Sequence, residues 1–304
     1  MSEMFYEENY GIAELKKEKN AVILAHNYQP AEIQDIADFT GDSLELSRKA
    51  RTTAAEVIIF CGVDFMAETA KVLSPDKKVI LPGGEATCPM ADMISAEGLK
   101  AMKNKYPDAA VVTYVNTSAA VKAQSDICCT SSNAVKITAS CKEEDIIFIP
   151  DMNLGSYVST KVNKNMIIWP GYCPVHDSIG IEDVMETREK FPEAVFMAHP
   201  ECGAEVLDAA DYVVSTGQMF LTVEKEKAQT FIVGTEEGML YALGKRFPEK
   251  EFVPAAPWTT CQNMKKISIE CIFNSLDNLS PETVLAPEVI AKASLALNRM
   301  LSVG

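Results

Sequence analysis

Cysteines, ring residues and hydroxyls recur at matching intervals along this chain of 304 residues, and their spacing sets the chemical question. From His26 to Cys88 is 62 residues, from Tyr114 to Cys173 is 59, and from His199 to Cys261 is 62. Each cysteine lies in or ends a loop: Gly83-Gly84-Glu85-Ala86-Thr87-Cys88-Pro89, Pro170-Gly171-Tyr172-Cys173-Pro174, and the stretch from Pro254 to Cys261. If three such loops meet, three thiolates converge on one centre. Soft sulfur donors favour iron–sulfur or zinc over magnesium or calcium. Structural zinc wants a fourth protein ligand and usually closely paired cysteines. No CxxC pair is present, and His176, three residues after Cys173, could serve as the fourth donor. A cubane cluster normally takes four thiolates. Held by three, it keeps one iron open, able to act as a Lewis acid in removing water. The remaining Cys61, Cys128, Cys129, Cys141, Cys202 and Cys271 have no counterparts in this pattern and read as structural, Cys202 adjoining Glu201.

The intervals start at polar clusters: His26-Asn27-Tyr28, Tyr114-Val115-Asn116 and His199-Pro200-Glu201. Twelve residues after each ring residue stands an aspartate (Asp38, Asp126, Asp211), and five further on a hydroxyl (Ser43, Ser131, Thr216). Hydroxyls just before helices either cap free N–H groups or, with the helix start, bind an anion without arginine. The chain has five arginines, at 48, 51, 188, 246 and 299, and none lies in the repeated motifs. Two offsets held in three copies mark an internal triplication.

The elements that must position these groups repeat as well. Strand Val22–Ala25 is followed by a helix opening with Pro30, strand Asp38–Thr40, helix Leu44–Thr52, strand Val57–Phe60, helix Phe65–Leu73 and strand Lys78–Leu81. The third copy gives strands at Val195–Ala198, Tyr212–Val214, Phe231–Val233 and Phe252–Val253. Strands alternating with helices at this pitch predict parallel sheets flanked by helices. The fold expected is α/β: three homologous small domains, each a parallel sheet flanked by helices, arranged with pseudo-threefold symmetry around a central cluster. Their bounds read as 1–105 with an N-terminal helix, 106–190, and 191–304 with C-terminal helices, linked by helices near 95–105, 181–190 and 262–277. In open parallel sheets ligands bind beyond the carboxyl ends of strands, which is where the polar clusters fall.

Composition excludes other classes. At 47% hydrophobic and 23% charged the chain is too apolar for disorder. With 28 basic and 43 acidic residues its formal charge is −15, so no basic footprint for nucleic acid is visible. No apolar stretch approaches the roughly 18–20 residues needed to cross a bilayer, and Met1 to Glu18 lacks the features of a signal peptide. A cytoplasmic protein without a disulfide framework is expected.

On these residues the chain resembles the quinolinate synthase family, the iron–sulfur enzymes of de novo NAD synthesis. The resemblance covers nearly the whole chain. It is carried by His26-Asn27-Tyr28-Gln29, Ile36-Ala37-Asp38-Phe39, Gly41-Asp42-Ser43-Leu44, Thr87-Cys88-Pro89-Met90, Tyr114-Val115-Asn116, Pro150-Asp151-Met152-Asn153-Leu154-Gly155, Cys173-Pro174-Val175-His176, His199-Pro200-Glu201-Cys202 and Ser215-Thr216-Gly217-Gln218-Met219. It implies one 4Fe–4S cluster per chain on Cys88, Cys173 and Cys261, with one open iron. It also implies condensation of iminosuccinate with dihydroxyacetone phosphate to quinolinate, with loss of phosphate and water. His26, Ser43, Tyr114, Asn116, Ser131, His199, Glu201 and Thr216 would bind the intermediates. Glu201 with His199 would move protons, assisted by Tyr28 and His26. Functional coupling to an aspartate-oxidising enzyme, as a source of iminosuccinate, is left open.

Two departures from the family pattern stand out. Cys261 is alone between Thr260 and Gln262, so a disulfide switch there is not supported, and Pro30 comes one place early. The rival readings are a diphthamide-synthesis-type three-domain iron–sulfur enzyme, a non-enzymatic iron–sulfur sensor and a zinc-stabilised scaffold.

Overall fold

Aliphatic runs without polar alternation, such as Val57-Ile58-Ile59-Phe60-Cys61, make strands that need cover on both faces, the habit of parallel sheets in α/β proteins. The computed structural model describes residues 11–303 and places these runs accordingly. Helix α1 (Ile12–Glu18) leads into the first unit: β1 (Ala21–His26), α2 (Ala31–Ile36), β2 (Phe39–Gly41), α3 (Ser43–Thr52), β3 (Val57–Cys61), α4 (Asp64–Leu73) and β4 (Lys78–Ile80). After α5 (Pro89–Asp92) and α6 (Ala96–Lys105) comes the second unit. It contains β5 (Ala110–Tyr114), α7 (Ala119–Lys122), β6 (Ile127–Cys129), α8 (Ala134–Ser140), β7 (Asp145–Ile149), α9 (Met152–Ser159) and β8 (Asn165–Ile168). Helices α10 (Pro174–Asp177) and α11 (Ile181–Lys190) lead to the third unit. There follow β9 (Val195–Ala198), α12 (Ala204–Ala209), β10 (Tyr212–Val213), α13 (Thr216–Lys225), β11 (Thr230–Gly234), α14 (Gly238–Arg246) and β12 (Glu251–Pro254), then α15 (Ile269–Asn278) and α16 (Pro287–Val303).

The three sheets have one topology: β2-β1-β3-β4, β6-β5-β7-β8 and β10-β9-β11-β12, all parallel. β3 and β5 are buried along their whole length. The aspartate that recurs twelve residues after each ring residue has a structural task in each sheet. Val111 N–H donates to Asp126 Oδ2 at 2.8 Å, and Asp126 N–H returns to the Val111 carbonyl at 3.1 Å. Ile23 with Asp38 and Phe196 with Asp211 repeat the pair, each with a 2.8 Å bond to the carboxylate. Each aspartate thus ties the edge strand to the start of the central one. Asp126→Ala is expected to cost about 1.5–3 kcal/mol, the worth of a hydrogen bond to a charged group. It should lower the melting temperature by several degrees and leave turnover at 25 °C unchanged, as thermal unfolding and a steady-state assay would read. Lost turnover at an unchanged melting temperature would contradict this.

Strands and helices expected within the first and third units fall within one residue of their expected bounds. Pro30 is a correction: it is the N-cap of α2, not its first residue, because its ψ of 153° is extended. The connecting helix expected near 262–277 also differs, being α15 at 269–278. Residues 262–268 stay in turns that carry the Cys261 loop, and α15 starts only where Ser268 Oγ accepts from Cys271 N–H at 3.2 Å.

The C-terminal helices make their main contacts away from the third sheet. α15 lies against α1 and β3, and α16 against α4, α7, α8 and β6, with Ala293, Ala296, Leu297 and Met300 fully buried. The last part of the chain therefore binds the first two units together. We propose domain limits at 105/106 and 190/191 on the ground that each portion then holds one complete sheet. No helix among the described residues is long and apolar enough to cross a membrane, and the first ten residues of the acidic amino-terminal stretch lie outside the described residues.

Candidate active site

All three sheets run parallel in one order, and the end of the second strand in that order carries the recurring polar residues in each. A cavity of about 280 Å³ gathers them. The first unit contributes His26, Tyr28, Ser43 and Cys88, the second Tyr114, Asn116, Ser131 and Cys173, and the third His199, Glu201, Thr216 and Cys261. Every substrate-binding, catalytic and cluster-cysteine position expected from the sequence lines this space, four from each unit, and so does His176. Among the described residues no lysine or arginine does.

The two strand-end histidines are set alike. Tyr28 N–H donates to His26 Nδ1 at 3.2 Å, and Glu201 N–H to His199 Nδ1 at 3.4 Å. With Nδ1 accepting, each neutral ring carries its proton on Nε2; that of His199 lies 3.1 Å from Ser131 Oγ. Burial pushes both imidazoles down to about 3, against the pull of Glu201. They are neutral hydrogen-bond donors at physiological pH.

The hydroxyls are freed from capping by the residues before them. Asp42 caps α3, its Oδ1 accepting from Leu44 and Glu45 N–H at 2.9 Å, while Glu45 accepts from Asp42 N–H. Ser215 and Gln218 do the same for α13. Ser43 and Thr216 are consequently first helical residues, with their hydroxyls on the cavity. Ser131 is not in the cap position of α8, which Asn133 occupies.

His176, offered by the sequence only as a fourth metal donor, is fully integrated with Glu201. Its Nδ1 lies 2.8 Å from Glu201 Oε2, and its Nε2 lies 2.8 Å from Thr235 Oγ1. Thr235 Oγ1 is in turn 2.6 Å from the Tyr28 hydroxyl. With Nδ1–H donating to the carboxylate, Nε2 accepts from Thr235, which accepts from Tyr28. A buried chain of carboxylate, imidazole and two hydroxyls results, joining the first unit to the third. Burial alone would push Glu201 up, but His176 and His199 hold it down to about 2. Tyr28 and Tyr114 are pushed well above the usual phenol range by burial and by the Glu201 charge. Glu201 Oε1 and Asn116 Oδ1 are buried without partners. Both residues line the cavity.

Thr235 and Glu236 were not visible to sequence reasoning, because their positions repeat but their residue types do not: the first two units carry Gly62-Val63 and Pro150-Asp151 there. Glu236 pairs with Lys265 at 2.8 Å, and Lys265 also donates to the Tyr28 carbonyl at 2.7 Å. The start of α14 is correspondingly tight: a Cβ on Gly238 would lie 2.8 Å from the Tyr28 backbone. Only glycine lets the third unit approach the Tyr28 loop this closely.

The sulfurs have a common local design. Cys88 and Cys173 are N-caps of α5 and α10, each followed by proline at the first helical position. Amide groups of the following turn face each sulfur: Ala91 and Met90 for Cys88, His176 for Cys173, Met264 and Asn263 for Cys261. Burial nonetheless pushes the Cys88 thiol up to about 12 and raises the other two. Thiolates persist in such a place only with a cation beside them. The donor chemistry is that of a metal site, and the ligand atoms of Cys173, His176 and Glu201 lie within 4.8 Å of one another.

Comparison with known proteins gives a consistent result. The family model described as "Quinolinate synthetase A protein" matches residues 10–302. "Quinolinate synthase 2" of Methanosarcina acetivorans is 50% identical over 292 residues, covering 96% of this chain and 94% of the relative. "Quinolinate synthase" of Geobacter sp. (strain M21) is 51% identical over 292 residues, 96% of each. That of Dehalococcoides mccartyi (strain ATCC BAA-2266) is 50% identical over 295 residues, 97% of this chain and 98% of the relative.

Proposed function

The chain belongs to the quinolinate synthetase A protein family, and from that premise we propose how its cavity carries out the reaction. The activity is that of a quinolinate synthase: iminosuccinate and dihydroxyacetone phosphate condense to quinolinate, with release of phosphate and water. Both substrates are small anions. The observation that carries the reading is one cavity receiving four equivalent residues from each of three units.

The residues divide by chemistry. Ser43, Ser131 and Thr216, with the Nε2–H groups of His26 and His199, are neutral donors suited to carboxylate and phosphate oxygens. Tyr114 adds a hydroxyl, and Asn116 offers an amide whose oxygen has no protein partner. Proton movement falls to the chain Tyr28–Thr235–His176–Glu201. A carboxylate held near 2 is a poor base by itself. It orients His176 and stabilises the charged imidazole, so that the imidazole takes and returns protons through the hydroxyls, the division of labour of a carboxylate–histidine–hydroxyl unit.

A metal cofactor fits the donor set. We take it to be a 4Fe–4S cluster on Cys88, Cys173 and Cys261. Among the described residues only the Cys173 group comes within 4.8 Å, whereas sulfurs sharing one zinc at about 2.3 Å must lie within about 4.6 Å of one another. The three cysteines are therefore spread too widely for a single zinc, which counts against a zinc scaffold. When bound through three sulfurs, the cluster offers one open iron whose Lewis acidity serves the loss of water.

The test is an anaerobic assay of purified protein with both substrates, following quinolinate by chromatography. Product is expected from protein carrying about four irons and four sulfides. Absence of product from such protein would overturn the reading and favour a cluster protein of another kind.

A further inference from the structure

Two residues beyond the third strand of each unit, the chain passes behind its cysteine loop. The position is Val63 in the first unit, Asp151 in the second and Glu236 in the third. It precedes the cysteine by 25, 22 and 25 residues, so the three are repeat equivalents. A backbone bond of the next residue pins all three loops alike: Asp64 N–H to the Ala86 carbonyl at 2.8 Å, Met152 to Gly171 at 2.7 Å, and Glu237 to Thr259 at 3.2 Å.

The side chains then break the symmetry. Asp151 is fully buried; Oδ1 accepts from Leu154 N–H in α9 at 2.6 Å, and Oδ2 accepts from the amide of Cys173 at 3.2 Å. Glu236 divides its oxygens the same way: Oε2 accepts from Gly238 N–H in α14 at 2.8 Å, and Oε1 from the amide of Cys261 at 3.0 Å. Each carboxylate bridges a helix start to the main chain of a cysteine. Val63 has no side-chain polar atom with which to do so, and among the described bonds no carboxylate accepts from the Cys88 amide.

We infer that Asp151 and Glu236 are positioning residues for the Cys173 and Cys261 sulfurs, a carboxylate support that the Cys88 loop lacks. The inference rests on the three-cysteine cluster reading. Its content is separate: two unit-specific carboxylates set how firmly the centre is retained. Groups of this kind, one bond removed from the ligand, typically change metal affinity 10–100-fold.

The experiment measures iron release from the reconstituted holoenzyme, under anaerobic conditions, to the ferrous chelator bathophenanthroline. Asp151→Ala and Glu236→Ala are expected to release iron roughly 10-fold faster or more than wild type. Asp151→Asn and Glu236→Gln, which keep one acceptor oxygen, should fall between. Asp126→Ala is the control: it weakens the second sheet without touching a cysteine loop and should release iron at the wild-type rate despite its lower melting temperature. Should Asp151→Ala fail to fold, Asp151→Asn and Glu236→Gln decide. Release at the wild-type rate from these variants, or acceleration in Asp126→Ala of the same size, overturns the inference while leaving the cluster reading intact. Wild-type protein that takes up no cluster removes the reading itself.

Discussion

Replacing Glu201 by glutamine is expected to lower turnover by about 10⁴-fold, the drop found when the carboxylate of a carboxylate–histidine–hydroxyl unit becomes an amide. The geometry gives the reason. Oε2 receives the Nδ1 proton of His176 at 2.8 Å. An amide nitrogen at that place donates instead, which forces Nδ1 to accept and moves the ring proton to Nε2. The bond from Thr235 is then reversed, and with it the path to the Tyr28 hydroxyl 2.6 Å further on. If the amide turns its oxygen to His176, its NH₂ group takes the position of the unpartnered Oε1. A donor then stands where the cavity had offered an acceptor. Either orientation removes the charge that stabilises a protonated imidazole. Iron and sulfide content should match wild type, because Glu201 is not among the three cluster cysteines. Near wild-type turnover in cluster-replete Glu201→Gln protein would show that the proton path runs elsewhere.

Much of this site was readable from the chain because triplication gives each residue two internal controls. A single His26 at a strand end is ambiguous; His26, Tyr114 and His199 at matched distances from Cys88, Cys173 and Cys261 are not. The same periodicity also marks residues whose need is structural. The aspartates at 38, 126 and 211 recur as faithfully as the hydroxyls, yet they tie strands together and stand away from the cavity. Capping at Ser43 and Thr216 could have been assigned to the preceding residues, since Asp42-x-x-Glu45 and Ser215-x-x-Gln218 carry the capping-box pattern. What repetition could not reveal are groups peculiar to one unit. His176 and Thr235 have no counterparts in the other copies, and their contact depends on how the second and third units meet. No local pattern encodes that. Likewise the packing of α16 on the first two units follows from long-range burial of Ala293, Leu297 and Met300, which an amphipathic sequence alone leaves without an address.

Cys173→Ala should abolish quinolinate formation and leave well under the roughly four irons per chain of a complete cluster. Of the three sulfurs this one has two tasks. It is a cluster ligand in the proposed scheme, and its Sγ lies 3.1 Å from His176 Nδ1, the atom that also faces Glu201. Cys88→Ala separates them, because Cys88 lies across the cavity in the first unit and has no hydrogen bond to the imidazole among those described. Both variants are expected to lose the cluster and the activity. They should differ in what remains: without Cys173 the His176 ring loses one of its two Nδ1 neighbours, so its Nδ1 resonance should move from its position in wild-type apoprotein, whereas in Cys88→Ala apoprotein it should not. A full iron and sulfide complement in Cys173→Ala would refute its place as a ligand. Retained activity in cluster-free protein of either variant would leave the enzyme standing on its proton chain alone. Loss of both in the two variants, with an altered His176 only in Cys173→Ala, would place one cysteine at the junction of the metal centre and the proton path. Such coupling follows from the sequence itself, since Cys173-Pro174-Val175-His176 sets sulfur and imidazole three residues apart on a single helical turn, each within reach of Glu201.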